Sequence, residues 1–239
     1  MRAIPGLQAT GSIARLSAKR VLRSRILVIG IVLMALSFLP MLLGAGKSQT
    51  PEFRWEHFLR LAGVLQMLVV ALFSASAIAE EIENKTYSYL WSRPIPRWSV
   101  LSGKLVVTVV LGSVLSGACA SVGFSLTGAT ETGLLLRAIF ALALGSLAVS
   151  CIASCLGIVA VKYALAVSIA YFLIFDSIIG NMPFALARIS VFHNVTAIAG
   201  YGTNAGTTLT SVLWLLAISS FAVTISLWRL ARKEFSTGS

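Results

Sequence analysis

Charge is scarce in this chain, and acid scarcer still: 11% of the 239 residues are Asp, Glu, Lys or Arg, and only eight are acidic. A water-soluble domain carries about 25% charged residues, so a globular enzyme with a large core does not fit this composition. Histidine occurs twice, at His57 and His193, and cysteine three times, at Cys119, Cys151 and Cys155. An odd number of cysteines, all inside apolar runs, argues against a disulfide framework. Cys151 and Cys155 stand four apart on one helical face, but with no His or acid nearby they fall short of the four ligands of structural zinc, and read as small packing residues. The phosphate-cradling Gly-x-x-x-x-Gly-Lys-Ser/Thr is missing: Gly103-Lys104 is followed by Leu105, and Trp98 stands where the first glycine belongs. Nucleotide hydrolysis, if the function needs it, is therefore expected in another chain.

What the sequence has instead is hydrocarbon. Hydrophobic residues make up 57%, with a mean hydropathy of +0.91. Bilayer-length apolar runs fall at about Ile26–Gly46, Leu61–Ala79, Leu105–Leu126, Ala138–Val161, Ala164–Ile179 and Leu209–Trp228. At roughly 20 residues per crossing they predict six helices. The first run is longer than the apolar core of a signal peptide and suits a retained span. The net charge of +11 is spread over short segments that flank these runs, a pattern of lipid headgroups and topology rather than of a nucleic-acid partner, and none is expected.

The bases also set an orientation. With the N-terminus cytoplasmic, 14 of the 19 Lys and Arg residues fall in inside segments and five in outside loops, which predicts both termini inside. Residues 1–25 then form a basic amphipathic helix on the inner leaflet, in which Ile13, Leu16 and Val21 alternate with Arg15, Lys19 and Arg20; a frayed basic tail that only sets topology is the alternative. The stretch Gly180–Thr208 is apolar but broken by Pro183, Gly200, Gly202 and Gly206, so a short outer re-entrant or interfacial element is expected before the last span. Together these readings give an all-α integral membrane protein forming one domain over residues 1–239.

The segment Glu80–Lys104, EEIENKTYSYLWSRPIPRWSVLSGK, is the polar exception. Glu80, Glu81 and Glu83 repel one another and need water or bases, for which Lys85, Arg93, Arg97 and Lys104 are at hand. A short helix from Lys85 would gather Tyr87, Leu90 and Trp91 on one side until Pro94 and Pro96 stopped it. Such an aromatic knob flanked by arginines suits docking into a partner's groove; a loop that merely fixes topology is the plainer reading.

The run Thr86–Lys104, TYSYLWSRPIPRWSVLSGK, resembles the cytoplasmic loop of ABC-2 type transporter permeases, with its Thr-x-x-x-Leu step, Ser-Arg-Pro-Ile-x-Arg and terminal Gly-Lys. The resemblance implies a coupling element carried by Lys85, Thr86, Tyr87, Leu90, Trp91, Arg93 and Arg97, inserted into a separate ABC ATPase subunit that binds ATP and Mg. It also implies a second permease subunit, identical or a sibling, and a place in the bacterial inner membrane. A non-transporting six-span tether using the same loop is the rival. An intramembrane protease is excluded more firmly. Glu80-Glu81 with Lys85 echoes such a motif, but His57 and His193 are expected on the opposite side of the membrane, and no Gly-x-Ser-x-Gly is present.

Within the spans, Asp176 is the only acid deep in an apolar run, and reads either as a pathway residue or as a cap for the outer element. Gly112, Ser113, Ser116, Gly117, Ser121 and Gly123 read as close helix packing or as a homodimer face. The spans lack buried charges suited to a polar cargo, a mild preference for a lipid, hydrophobic peptide or drug.

Overall fold

A computed structural model describes residues 6–43, 50–83, 97–180, 182, 185–201 and 208–232. Among them all regular structure is helical. The 18-residue helix α1 (Gly6–Arg23) ends at Ser24, whose extended backbone (φ −84°, ψ 152°) turns the chain into α2 (Arg25–Leu42). The long helices α3 (Pro51–Glu83) and α4 (Arg97–Thr127) follow, then α5 (Thr132–Val159) and the shorter α6 (Ala164–Gly180). A nine-residue α7 (Val191–Ala199) precedes the last helix, α8 (Thr208–Arg232).

Five helices are long and apolar enough to cross a bilayer: α2, α3, α4, α5 and α8. The fifth run of the sequence becomes α6, which falls short of that length and contains a wider π-helical stretch at Tyr171–Asp176. At about 1.5 Å per residue it reaches roughly 25 Å, less than the ~30 Å of a hydrocarbon core. In the other direction, α3 and α4 run 33 and 31 residues and outreach their apolar stretches. Their polar ends stay helical because a helix continues as long as no residue breaks it: Pro51 and Glu52 favour the first turn of α3, and α4 starts directly after Pro96. The connection Glu80–Lys104 is thereby divided, with Glu80–Glu83 in the last turn of α3 and Arg97–Lys104 in the first turns of α4.

Helix α5 is the hub, packed against α3, α4, α6, α7 and α8. Its sequence explains this. Ala138, Ala141, Gly145, Ser146, Ala148, Ser150, Ala153 and Ser154 are all buried, and small side chains let several backbones come close at once. Elsewhere small residues meet large ones. Gly112 is so near Val70 that an added Cβ would lie 2.7 Å from Cγ2, and the Phe58 ring occupies the room beside Gly123. Of the other small residues in α4, Ser116 is buried but Ser121 is exposed. The wall of α2 differs: only 17% of it is buried, against 72% of the most apolar 18-residue stretch of α3.

Polar ties reinforce the packing. Gln66 of α3, 3% exposed, donates through Nε2 to the Leu142 carbonyl and, at 2.7 Å, to Ser146 Oγ of α5. In α2, Ser37 lies 3.4 Å from the Cys119 sulfur of α4. Interhelical hydrogen bonds in apolar surroundings contribute about 0.6 kcal/mol on average and at most about 2. Gln66→Leu is therefore expected to destabilise the bundle by about 1 kcal/mol in detergent-based unfolding, with Ser146→Ala costing less; an unchanged midpoint for Gln66→Leu would mean that packing alone joins α3 to α5.

Candidate functional site

Two polar regions stand out, at opposite ends of the bundle. The first is where α3 ends and α4 begins. Lys85, Thr86, Tyr87, Leu90, Trp91 and Arg93 lie outside the described residues. Glu80, Glu81 and Glu83 close α3, and Arg97 opens α4. Trp98 is 45% exposed on the first turn, whereas Ser99 and Leu101 are buried. Lys104 is 7% exposed, so its side chain runs between helices and is no free surface charge.

The start of α4 is gripped on two sides. Leu101 packs with Ile158 of α5, and Leu105 and Leu230 of α8 close over them in a small apolar cluster. On another side lies α1. Gly103 faces it so closely that an added Cβ would stand 3.0 Å from the Thr10 carbonyl oxygen and 3.1 Å from Ile13 Cγ2. The Thr10 and Ser102 hydroxyls are 3.5 Å apart across the same junction. Force applied to the residues before α4 would therefore reach α1, α5 and α8 directly.

The second region is at the far end, and Asp176 organises it. The carboxylate is 1% exposed and accepts from the Val191 and Phe192 amides, both at 2.9 Å. Those amides open α7, where the first turn has no intrahelical acceptors of its own. Ser190 completes the cap: its Oγ accepts from the His193 amide at 3.2 Å and donates to the Asp176 carbonyl at 3.1 Å. At the other terminus Gly200 adopts the left-handed conformation (φ 89°) that ends helices. Helix α7 is thus stitched to the end of α6 and buried against α5, α3 and α8. Each of the two Asp176 carboxylate oxygens thus accepts from a backbone amide, the arrangement expected of a cap. Close by, Trp55 is fully buried, stacked on Phe58 and edge-on to Phe124. Tyr201 follows α7, and burial, with Glu56, Glu52 and Glu131 adding to it, pushes its hydroxyl up to about 12, so it is a neutral phenol at physiological pH.

Sequence reasoning passed over Gln66 and Thr10, which look ordinary until a neighbour is known. Gly103 was visible as part of the terminal Gly-Lys of the loop motif and as a failed nucleotide motif, but not as a contact. Among the described residues no group of His, Cys, Asp or Glu is placed to hold a metal.

These features define a multi-pass helical membrane protein whose most specialised segment joins α3 to α4. A family model described as "ABC-2 family transporter protein" matches residues 19–177, about two thirds of the chain, from the end of α1 through α6 and across that segment. The chain belongs to this family and is a permease-type membrane component. No curated protein matches it.

Asp176→Ala would strand two buried amides, and each unpaired group costs about 1–3 kcal/mol. Hydrogen exchange at residues 191–193 is expected to accelerate at least tenfold in Asp176→Ala and less in Asp176→Asn, which keeps one carbonyl oxygen; equal protection in all three would show that the cap does not hold α7.

Proposed function

We propose that this chain is the membrane-spanning permease subunit of an ABC-2 type exporter in the bacterial inner membrane. It works with a second permease copy and two separate ATPase subunits, which bind ATP and Mg. The observation that carries the reading is the family match running through the α3–α4 connection, where the coupling motif Thr86–Lys104 stands. Both termini and residues 84–96 face the cytoplasm, in line with the Lys and Arg distribution. Six crossings follow if α6 counts as the shortest, with α7 as the outer element beyond it. Helix α1 lies on the inner leaflet.

Coupling in this scheme is mechanical. Closure of the ATPases on ATP displaces the Lys85–Arg97 element, and the gripped start of α4 passes the movement to α5 and α8. Because packed interfaces switch between discrete arrangements, a small displacement there becomes a change of access along the bundle. One six-helix unit supplies half of a pathway, and the second copy supplies the other half.

The test is affinity purification of the tagged chain in mild detergent. A P-loop ATPase is expected to co-purify, and Trp91→Ala with Arg93→Ala to lower its yield by about tenfold or more, since buried Trp and Arg anchors dominate docking energies. A native chain that comes down without an ATPase, in detergent that preserves such complexes, would overturn the proposal in favour of a tether.

A further inference from the structure

Helix α1 has two faces with different destinations. Thr10, Ile13, Ala14, Ser17, Ala18 and Val21 form a partly buried stripe at helical spacing, and α1 packs on α4. The contact is closest at Gly103, where backbone as well as side chain of α1 fills the space a Cβ would need. A larger residue at this seat would require the backbone and Ile13 side chain of α1 to give by a few tenths of an ångström.

The opposite face carries Arg15, Lys19, Arg20 and Arg23, all exposed, together with Leu16 at 70% and Leu22 at 58% exposure. No acid occurs in α1, and none of these four bases makes an ion pair among the described residues. Four cations interleaved with two exposed leucines match an anionic bilayer surface: the leucines enter the acyl boundary while the long basic side chains reach phosphates. An acidic protein surface would satisfy the charges but leave the leucines in water. Ser24 then turns the chain directly into the first span, which keeps α1 at the membrane.

We infer that anionic inner-leaflet lipid is a ligand of the Arg15–Leu16–Lys19–Arg20–Leu22–Arg23 face, and that Gly103 is the positioning residue through which lipid occupancy sets the start of α4. Lipid charge holds α1 down, α1 seats on Gly103, and the residues leaving the coupling element are fixed in place. The consequence for transport rests on the coupling reading above; the contact itself does not.

The experiment separates the two. With Cys119, Cys151 and Cys155 replaced, cysteines at Thr10 and Ser102 report the seat by disulfide formation in nanodiscs of phosphatidylcholine alone or with phosphatidylglycerol. No ATPase is needed. Crosslinking is expected to be at least about threefold faster in the anionic discs, because each base near such a surface adds attraction that high salt screens. Replacing the four bases with glutamine should abolish that difference while the protein stays folded. Gly103→Leu should slow crosslinking in both discs, and Ile13→Ala in addition should restore part of it, which a general folding defect would not allow. Equal rates in the two lipids, or a lipid effect that survives loss of the four bases, would overturn the inference. ATPase stimulation by the crosslinked pair in neutral discs reads the coupling separately: its absence alongside lipid-dependent crosslinking would count against the coupling reading and leave the lipid site standing.

Discussion

A peptide group inside hydrocarbon has no water to turn to, and each one left unpaired costs several kcal/mol. Nearly every feature of this bundle answers that constraint. The long spans satisfy their own backbones. Where the chain has to stop inside the bundle, as at the start of α7, a side chain must supply what the missing turn would have given. Asp176 and Ser190 do so, and the cost of burying a carboxylate is offset by the two amides it accepts from. An acid deep in an apolar run is thereby paired with backbone.

Inside that frame, shape selects neighbours. Lipid tails are as apolar as leucine, so helices gain little from burying hydrophobic area against one another and depend on close fit. Hence α5, with its alanines, serines and Gly145, sits at the centre and the bulkier faces of α2 and α8 point outward. The same logic at the end of the bundle where α4 begins produces a rigid junction. Leu101 is held by Ile158 and Leu230, and Gly103 by the backbone of α1. The start of α4 is thereby packed against three helices, α1, α5 and α8.

Hydropathy and charge made the helical class, the long spans and the special status of residues 80–104 legible, because both are local properties. They did not separate a lipid-facing helix from a central one: α2 and α3 are both strongly apolar, yet α2 is mostly exposed and the apolar stretch of α3 mostly buried. The shortness of α6 was legible, since its apolar run Ala164–Ile179 has nearly the bounds of the helix, but the π-helical stretch at Tyr171–Asp176 leaves no mark in composition. Asp176 was conspicuous as an acid among apolar residues, but its partners lie 15 and 16 residues away and only tertiary structure joins them. Gly103 shows the same limit. A glycine in a helix is a weak signal until the helix that crosses it is known. The coupling role proposed for Lys85 to Arg97 follows from motif, and requires that they occupy the cytoplasmic side of the membrane.

That side can be measured directly. Single cysteines at Tyr87 and at Gly128, in a chain whose native cysteines are replaced, would be challenged with a membrane-impermeant thiol reagent in right-side-out and in inverted vesicles. Position 87 is expected to react only in inverted vesicles and position 128 only in right-side-out ones. Labelling of position 87 from the outer face would place the loop away from ATP and contradict the coupling mechanism at its root.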